Sequence, residues 1–188
     1  MTSSTSKTIA RKLSREGIAE LGERGEEQAS ERIVAEIEGW DVFRDASRVL
    51  LFSALRGEPS LLTLLNSGHS KEFCFPKVEN DQLRVFGVQS LDQLSPGKFG
   101  ILEPVESLAT EIPPSEIELA LIPGVAFGRK GERLGRGGGF FDRFLPMLSP
   151  DALIAGVCFQ CQIFDNLPVE AHDFPVNALV SDTGVLRF

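Results

Sequence analysis

Four glycines within five residues, Gly135 and Gly137 to Gly139, constrain this chain more than any other feature. They follow the apolar run Leu119-Ala120-Leu121-Ile122 and the turn-rich Pro123-Gly124-Val125-Ala126-Phe127-Gly128, and they precede Phe141, Phe144 and Leu145 at helical spacing. The pattern predicts a strand, a loop without side-chain obstruction, and a helix start. Backbone N–H groups can converge on an anion in such a loop, and Arg133 and Arg136 add charge to it. Four glycines can equally make only a flexible turn. The arginines and Asp142 favour the anion site, because a carboxylate beside a polyphosphate is where magnesium sits. The P-loop needs Lys-Ser/Thr after its last glycine and the dinucleotide fingerprint needs G-x-G-x-x-G after a strand, so neither template fits.

At 188 residues and 42% hydrophobic, the chain is long enough for one substantial core, and a single domain over 1–188 is the expectation. A net charge of −8 repels phosphodiester backbones, and no basic cluster offsets it, which argues against nucleic acid. The polar start and the lack of any apolar run near ~20 residues argue against secretion and membrane insertion, and so for a cytoplasmic location. Three cysteines do not describe a disulfide framework. Cys158 and Cys161 form a lone C-x-x-C after an apolar run. Cys74, His69 and His172 lack zinc spacing toward them, so packed core thiols are expected.

Apolar spacing and charge predict helix from Lys7 to about Gly39 with a break at Gly22 to Gly25. Val49 to Phe52, Glu72 to Phe75 (ended by Pro76) and Leu83 to Phe86 read as strands, with a turn at Asn80-Asp81. Pro59 suits the first turn of a helix through Leu61, Leu62, Leu64 and Leu65. Ser95 to Pro114 reads as a loop-rich connector across the surface or over a cleft. Leu119 to Ile122, Leu153 to Val157 and a closing pair around Gly184 complete the strands. Alternating strands and helices predict an α/β fold with a largely parallel sheet, and ligands in such folds bind beyond the carboxyl ends of the strands.

Ile122 to Leu145, read as IPGVAFGRKGERLGRGGGFFDRFL, resembles the signature of the 5-formyltetrahydrofolate cyclo-ligase, or methenyltetrahydrofolate synthetase, family. Lys7-Thr8-Ile9-Ala10-Arg11, Gly57-Glu58, Phe99-Gly100-Ile101-Leu102-Glu103-Pro104 and Ala171-His172-Asp173-Phe174-Pro175-Val176 resemble further family blocks in the same order. The resemblance implies a three-layer α/β/α domain of the NagB/RpiA/CoA transferase-like kind. It also implies ATP-dependent cyclisation of 5-formyltetrahydrofolate to 5,10-methenyltetrahydrofolate by a C–N ligase, with ATP as co-substrate and Mg2+ as cofactor, in a monomer with no nucleic-acid or membrane partner.

Carried over from the family, Lys7, Arg11, Arg133, Leu134, Gly135, Arg136, Gly137, Gly138, Gly139, Phe140 and Phe141 would bind ATP. Ser53, Glu58, Arg136, Gly137, Gly138, Gly139 and Phe140 would bind the folate, with Phe52 near it. Arg136 and Glu58 are the catalytic candidates, and Asp142 and Asp173 the metal candidates. The i, i+4 spacing of Lys7 and Arg11 puts both on one helix face. Out of that context Glu58 reads as a helix N-terminal carboxylate and Asp173 as a turn residue.

The chain has no tyrosine, so Phe140-Phe141 stands where the family has Tyr-Tyr and the hydroxyls are missing. Lys77 stands where an arginine is usual, without the bidentate fork. A non-catalytic folate- or nucleotide-binding protein of the same fold is the alternative. An enzyme for sugar phosphates or acyl-CoA has only fold analogy behind it.

Overall fold

The computed structural model describes residues 3–68, 70–97, 100–168, 170 and 173–188. Met1, Thr2, His69, Phe99, Ala171 and His172, which the sequence reading touches, lie outside the described residues. Three α-helices are described: α1 (Ser3–Gly39), α2 (Asp41–Asp45) and α3 (Phe140–Phe144). The strands of the first half are β1 (Arg48–Leu50), β2 (Glu72–Glu79), β3 (Gln82–Val88), β4 (Leu94–Pro96), β5 (Leu102–Pro104) and β6 (Thr110–Glu111). The second half supplies β7 (Leu119–Pro123), β8 (Ala126–Gly128), β9 (Arg133–Leu134), β10 (Leu153–Val157), β11 (Ile163–Phe164), β12 (Ala178–Ser181) and β13 (Gly184–Arg187).

Eight strands form the central sheet in the order β13-β12-β10-β7-β1-β2-β3-β6. Its middle, from β12 to β2, is parallel, and the hairpin partners β13, β3 and β6 add antiparallel edges. The largely parallel α/β expectation therefore holds. A parallel sheet covered on both faces needs side chains that are apolar in both directions. In the central β7, Leu119, Ala120, Leu121 and Ile122 are all fully buried. The period of two then splits the core. Leu119, Leu121, Ala155 and Val157 face Ala29, Ile33 and Ile37 of α1 and Phe43 of α2. Ala120, Ile122 and Ile154 face Phe144, Leu145 and Leu148 behind α3.

The helix break predicted near Gly22 is present: Gly22 has φ 64° and ψ 169° inside α1. That backbone region is accessible almost only to glycine. A Cβ at Gly22 would meet no atom within 4 Å, so an alanine there is penalised by backbone conformation alone. Gly22→Ala is expected to lower unfolding free energy by about 1–3 kcal/mol in urea titrations. A change within a few tenths of a kcal/mol would show that α1 can straighten at no cost.

Three local expectations are corrected. Pro76 does not end its strand, since β2 runs to Glu79 and pairs Pro76 with Val85 of β3. The Cys74 carbonyl accepts Leu51 N–H on the β1 side, so Pro76, two residues on, points the same way, where β1 has already ended. The missing N–H therefore costs no ladder bond. The apolar run after Pro59 forms a 3-10 helix over Leu62–Asn66 rather than an α-helix. The connector from Ser95 to Pro114 holds the β4–β5 ribbon, and β6 within it extends the central sheet.

Candidate active site

The glycine loop leaves β9 and enters α3 with Gly137 at φ 103° and Gly139 at φ 64°, backbone that a Cβ would strain. The expected helix is present but has only five residues, followed by a 3-10 turn over Leu145–Met147. Its dipole is correspondingly small, so charge at this loop comes mainly from side chains. Phe140 and Phe141 lie beneath guanidinium groups, with Arg143 5.2 Å from the Phe140 ring centre and Arg133 5.8 Å from that of Phe141.

The fold brings the separate sequence candidates into paired contacts. Arg136 Nε donates to Glu58 Oε1 at 2.7 Å, and Leu55 N–H donates to Glu58 Oε2 at 2.9 Å. Both oxygens of Glu58 are thus engaged, and its side chain is 5% exposed against 48% for Arg136. Arg136 also donates to the Arg56 carbonyl at 3.2 Å. Near the start of α1, Lys7 is buried and its ammonium donates to Asp173 Oδ2 at 2.6 Å. One turn on, Arg11 donates to the Gly135 carbonyl at 3.4 Å, which lays the helix against the loop.

Arg133, buried beneath the loop, donates to Asp142 Oδ1 at 2.6 Å and to the Pro123 carbonyl at 3.4 Å. The same Asp142 oxygen accepts Phe174 N–H at 3.3 Å, which ties the segment after Asp173 to the loop. Leu134 turns its side chain into a small apolar cluster with Ala10, Ala126 and Leu167, so only its backbone is available to a ligand.

Two cavities open on this constellation. One, about 570 Å³, is walled by Arg11, Arg15, Arg56 and Arg136, with Gly124 and Gln162 also lining it. The other, about 540 Å³, is mostly apolar, with Phe52, Val78, Leu83, Phe140 and Phe141 around Ser53, Glu58 and Arg136. Arg136 and Gly124 line both. Each is large enough for a cofactor-sized molecule. The connector borders the second through Ile101 and Glu103, and Leu102 N–H donates to Ser53 Oγ at 3.0 Å.

The sequence profile of the 5-formyltetrahydrofolate cyclo-ligase family matches residues 5–182. The chain belongs to that family. It is similar to 5-formyltetrahydrofolate cyclo-ligase of Haemophilus influenzae, 42% identical over 80 residues, which cover 42% of this chain and 43% of the relative. The Escherichia coli protein of the same name is 35% identical over 94 residues, covering 50% of this chain and 52% of the relative. The chain thus spans about half the length of these curated relatives over the matched stretches. Among solved structures, Aquifex aeolicus 5,10-methenyltetrahydrofolate synthetase superposes with a TM-score of 0.86 at 34% identity, covering 96% of this chain and 92% of that one. The Mycoplasma pneumoniae synthetase shares the fold, with a TM-score of 0.73 at 19% identity over 94% of this chain and 98% of its own.

The Mg2+ that the sequence resemblance implies can be tested against the donors present, and Asp142 fits it. Asp142 Oδ1 is taken by Arg133 and by Phe174 N–H, whereas Oδ2 carries no hydrogen bond among the described residues. No group of three or more His, Cys, Asp or Glu able to hold a metal is found among those residues. A hard cation held here would take one or two carboxylate oxygens and complete its shell with phosphate oxygens and water, which is how Mg2+ is usually bound.

The thiols are packed into the fold, as their spacing predicts. Cys74 and Cys158 are buried, and Cys161 is half-buried with no disulfide partner. Burial pushes the Cys74 thiol up to about 12, and burial also raises Cys158 and Cys161 above the usual range. A raised thiol pKa keeps the neutral form, so thiolate is scarce at neutral pH. Native protein at neutral pH is expected to incorporate iodoacetamide at Cys74 and Cys158 at least ~100-fold more slowly than unfolded protein. Mass spectrometry checks this, and rapid native labelling of Cys158 would show that the core opens there.

Sequence reasoning missed Gln162, which is 1% exposed and clamps the turn after β7. Its Nε2 donates to the Gly124 and Val125 carbonyls, both at 3.0 Å, and its Oε1 accepts Phe159 N–H at 2.8 Å. The clue was a pair of glutamines, Gln160 and Gln162, in the otherwise apolar run after Cys158. Arg15 and Arg56 were missed as well, because on a highly charged surface a cavity-facing arginine has no local signature.

Proposed function

We propose that this chain catalyses the ATP-dependent closure of 5-formyltetrahydrofolate to 5,10-methenyltetrahydrofolate, with release of ADP and phosphate. The observation that carries the proposal is the meeting of an arginine-walled cavity and a largely apolar one at a single guanidinium, Arg136. Nucleotide phosphates fit the first and a reduced pterin the second. Their reacting ends then meet beside Arg136 and the glycine loop.

The formyl oxygen attacks the γ-phosphorus and ADP leaves. N10 adds to the activated carbon, the C–O bond breaks with loss of phosphate, and the N10 proton is released, closing the ring. Phosphoryl transfer of this kind needs positioning and charge stabilisation rather than a protein nucleophile. Arg136, half-exposed at the junction, supplies a planar fork for the transferred phosphoryl oxygens. Glu58, fixed by Leu55 N–H, orients that fork and borders the folate cavity. Gly137, Gly138 and Gly139 allow backbone approach to both reactants, and Arg11 extends the cationic side from α1, while Lys7, which lines neither cavity, is held by Asp173 and Glu170. Phe140 and Phe141 offer ring faces to the pterin without the hydroxyls of tyrosines.

Asp142, with Asp173 nearby on the Phe174 segment, would hold Mg2+, which would supply charge neutralisation of the phosphates. Asp142→Asn is therefore expected to raise the magnesium concentration for half-maximal rate roughly tenfold. An unchanged magnesium titration would remove Asp142 from the metal site. Among the described residues no helix is long and apolar enough to cross a membrane. The proposal includes a cytoplasmic, monomeric, single-domain protein working on these small molecules, with no nucleic-acid or membrane partner.

The test is the rise in absorbance of methenyltetrahydrofolate when purified protein meets 5-formyltetrahydrofolate with and without MgATP. A rise requiring both supports the proposal. Folate binding without a rise would favour the non-catalytic binding protein, with Phe140 and Phe141 the first residues to change to tyrosine.

A further inference from the structure

The arginine-walled cavity is not uniformly cationic. Along α1 its wall carries Arg11 and Arg15, then Ile18 and Ala19, and, beyond the break at Gly22, Glu26. Arg11, Arg15, Ile18 and Ala19 stand at i, i+4, i+7 and i+8 and so form one helical stripe. Glu26 is half-buried and lines the same cavity. Its backbone carbonyl accepts Ser30 Oγ at 2.8 Å, but its carboxylate has no hydrogen bond or ion pair among the described residues. This is so although four guanidinium groups share the cavity. Gln162, the neutral polar side chain of this wall, spends its amide on the backbone of its own fold.

We propose that Ile18, Ala19 and Glu26 form the nucleoside end of the nucleotide site, with the Glu26 carboxylate accepting hydrogen bonds from the ribose hydroxyls. The proposal rests on the assignment of this cavity to ATP made above. The wall has one cationic end and one anionic end, which sets the direction of the ligand. Polyphosphate belongs with Arg11, Arg15, Arg56 and Arg136, and at Glu26 it would meet like charge. The kink at Gly22 falls between Arg15 and Glu26, and the cavity of about 570 Å³ that both line is the size of a nucleotide rather than of a single phosphate. Ile18 and Ala19 lie between and offer the apolar surface that a sugar edge or base face covers. A carboxylate with both oxygens unpaired suits vicinal hydroxyls, the pairing by which acidic residues hold ribose in dinucleotide folds.

Calorimetric titration of the full chain with ATP, 2′-deoxy-ATP and inorganic triphosphate, for wild type and Glu26→Ala, tests this. Alanine is the best helix former, so α1 should persist, and circular dichroism checks it. Glu26→Ala is expected to weaken ATP roughly tenfold and 2′-deoxy-ATP by about threefold or less, as loss of a charge-assisted hydrogen bond implies. Triphosphate binding should be unchanged or slightly tighter. Equal weakening of ATP and 2′-deoxy-ATP would place the contact on the base and overturn the ribose assignment. Unchanged or tighter binding of all three would make Glu26 a mere repulsive charge and overturn the proposal. Wild-type protein that binds ATP with this Glu26 dependence but forms no methenyltetrahydrofolate would overturn the catalytic function and support the nucleoside site. Failure of wild type to bind ATP would overturn both.

Discussion

Replacing Arg136 with alanine is expected to lower kcat for methenyltetrahydrofolate formation by ~10²-fold or more, the usual cost of losing one preorganised donor to developing charge. Arg136 is the residue for this test because it lines both cavities and its guanidinium is held at 2.7 Å by Glu58. The orientation matters as much as the charge. Arg136→Lys keeps a cation but loses the bidentate fork, so it should recover only a small part of the rate. Glu58→Gln keeps the shape and releases the fork, and should lower kcat more than it raises KM for either substrate. A kcat for Arg136→Ala within about threefold of wild type would end the assignment of transition-state stabilisation to this residue, whatever its effect on KM.

The second large effect is on stability. Arg133→Met is expected to destabilise the protein by about 3–5 kcal/mol, because it leaves the Asp142 carboxylate without its buried counter-charge. The two side chains are 3% and 17% exposed, so solvent can screen the pair only from the Asp142 side. The Arg133 fork also bonds the Pro123 carbonyl, and its Nε is buried without an acceptor among the described residues. The double variant Arg133→Met, Asp142→Leu should recover a large part of the loss, since removing both members of a buried pair is far less costly than removing one. Urea unfolding midpoints of wild type and the two variants give the comparison. A single-variant loss below about 1 kcal/mol would mean that Asp142 is already satisfied by water and by Phe174 N–H.

Arg133 and Arg136 stand three residues apart in one glycine-rich run, and local sequence treats them alike as charge for an anion. Tertiary structure separates them. β9 carries Arg133 inward beneath the loop, whereas Arg136 sits on the loop itself, half in solvent. A similar division applies to Glu58, Lys7 and Asp173. Lys7 meets Asp173 across 166 positions, and Arg136 meets Glu58 across 78. Nothing in the spacing of charges records such pairings, because charge–charge contacts carry no sequence period. The resemblance brought these residues together as a group, and the fold decided which of them neutralise one another.

What the sequence by itself determined is local. The apolar runs at Leu119 to Ile122 and Leu153 to Val157 read as strands, and both lie in the central sheet. A break in α1 was legible over Gly22 to Gly25, of which Gly22 carries it, and so was the turn at Asn80-Asp81, with φ of 47° and 61°. The glycine run read as an anion loop, with a plain flexible turn as the alternative. The signature from Ile122 to Leu145 was specific enough to point to the family, and the profile match over residues 5–182 agrees. Tertiary structure alone decided the rest. Pro76 stays in its strand because β1 stops short of it, and the Leu62–Asn66 run stays a 3-10 turn. Gln162 becomes a clamp because two strand ends lie side by side. The arginine-walled cavity exists because α1 lies beside the turn after β7, and the apolar one because β2, β3 and the connector meet the glycine loop. Each of these depends on where distant segments stop and meet, and hydrophobic periodicity reports burial without naming the neighbour that provides it.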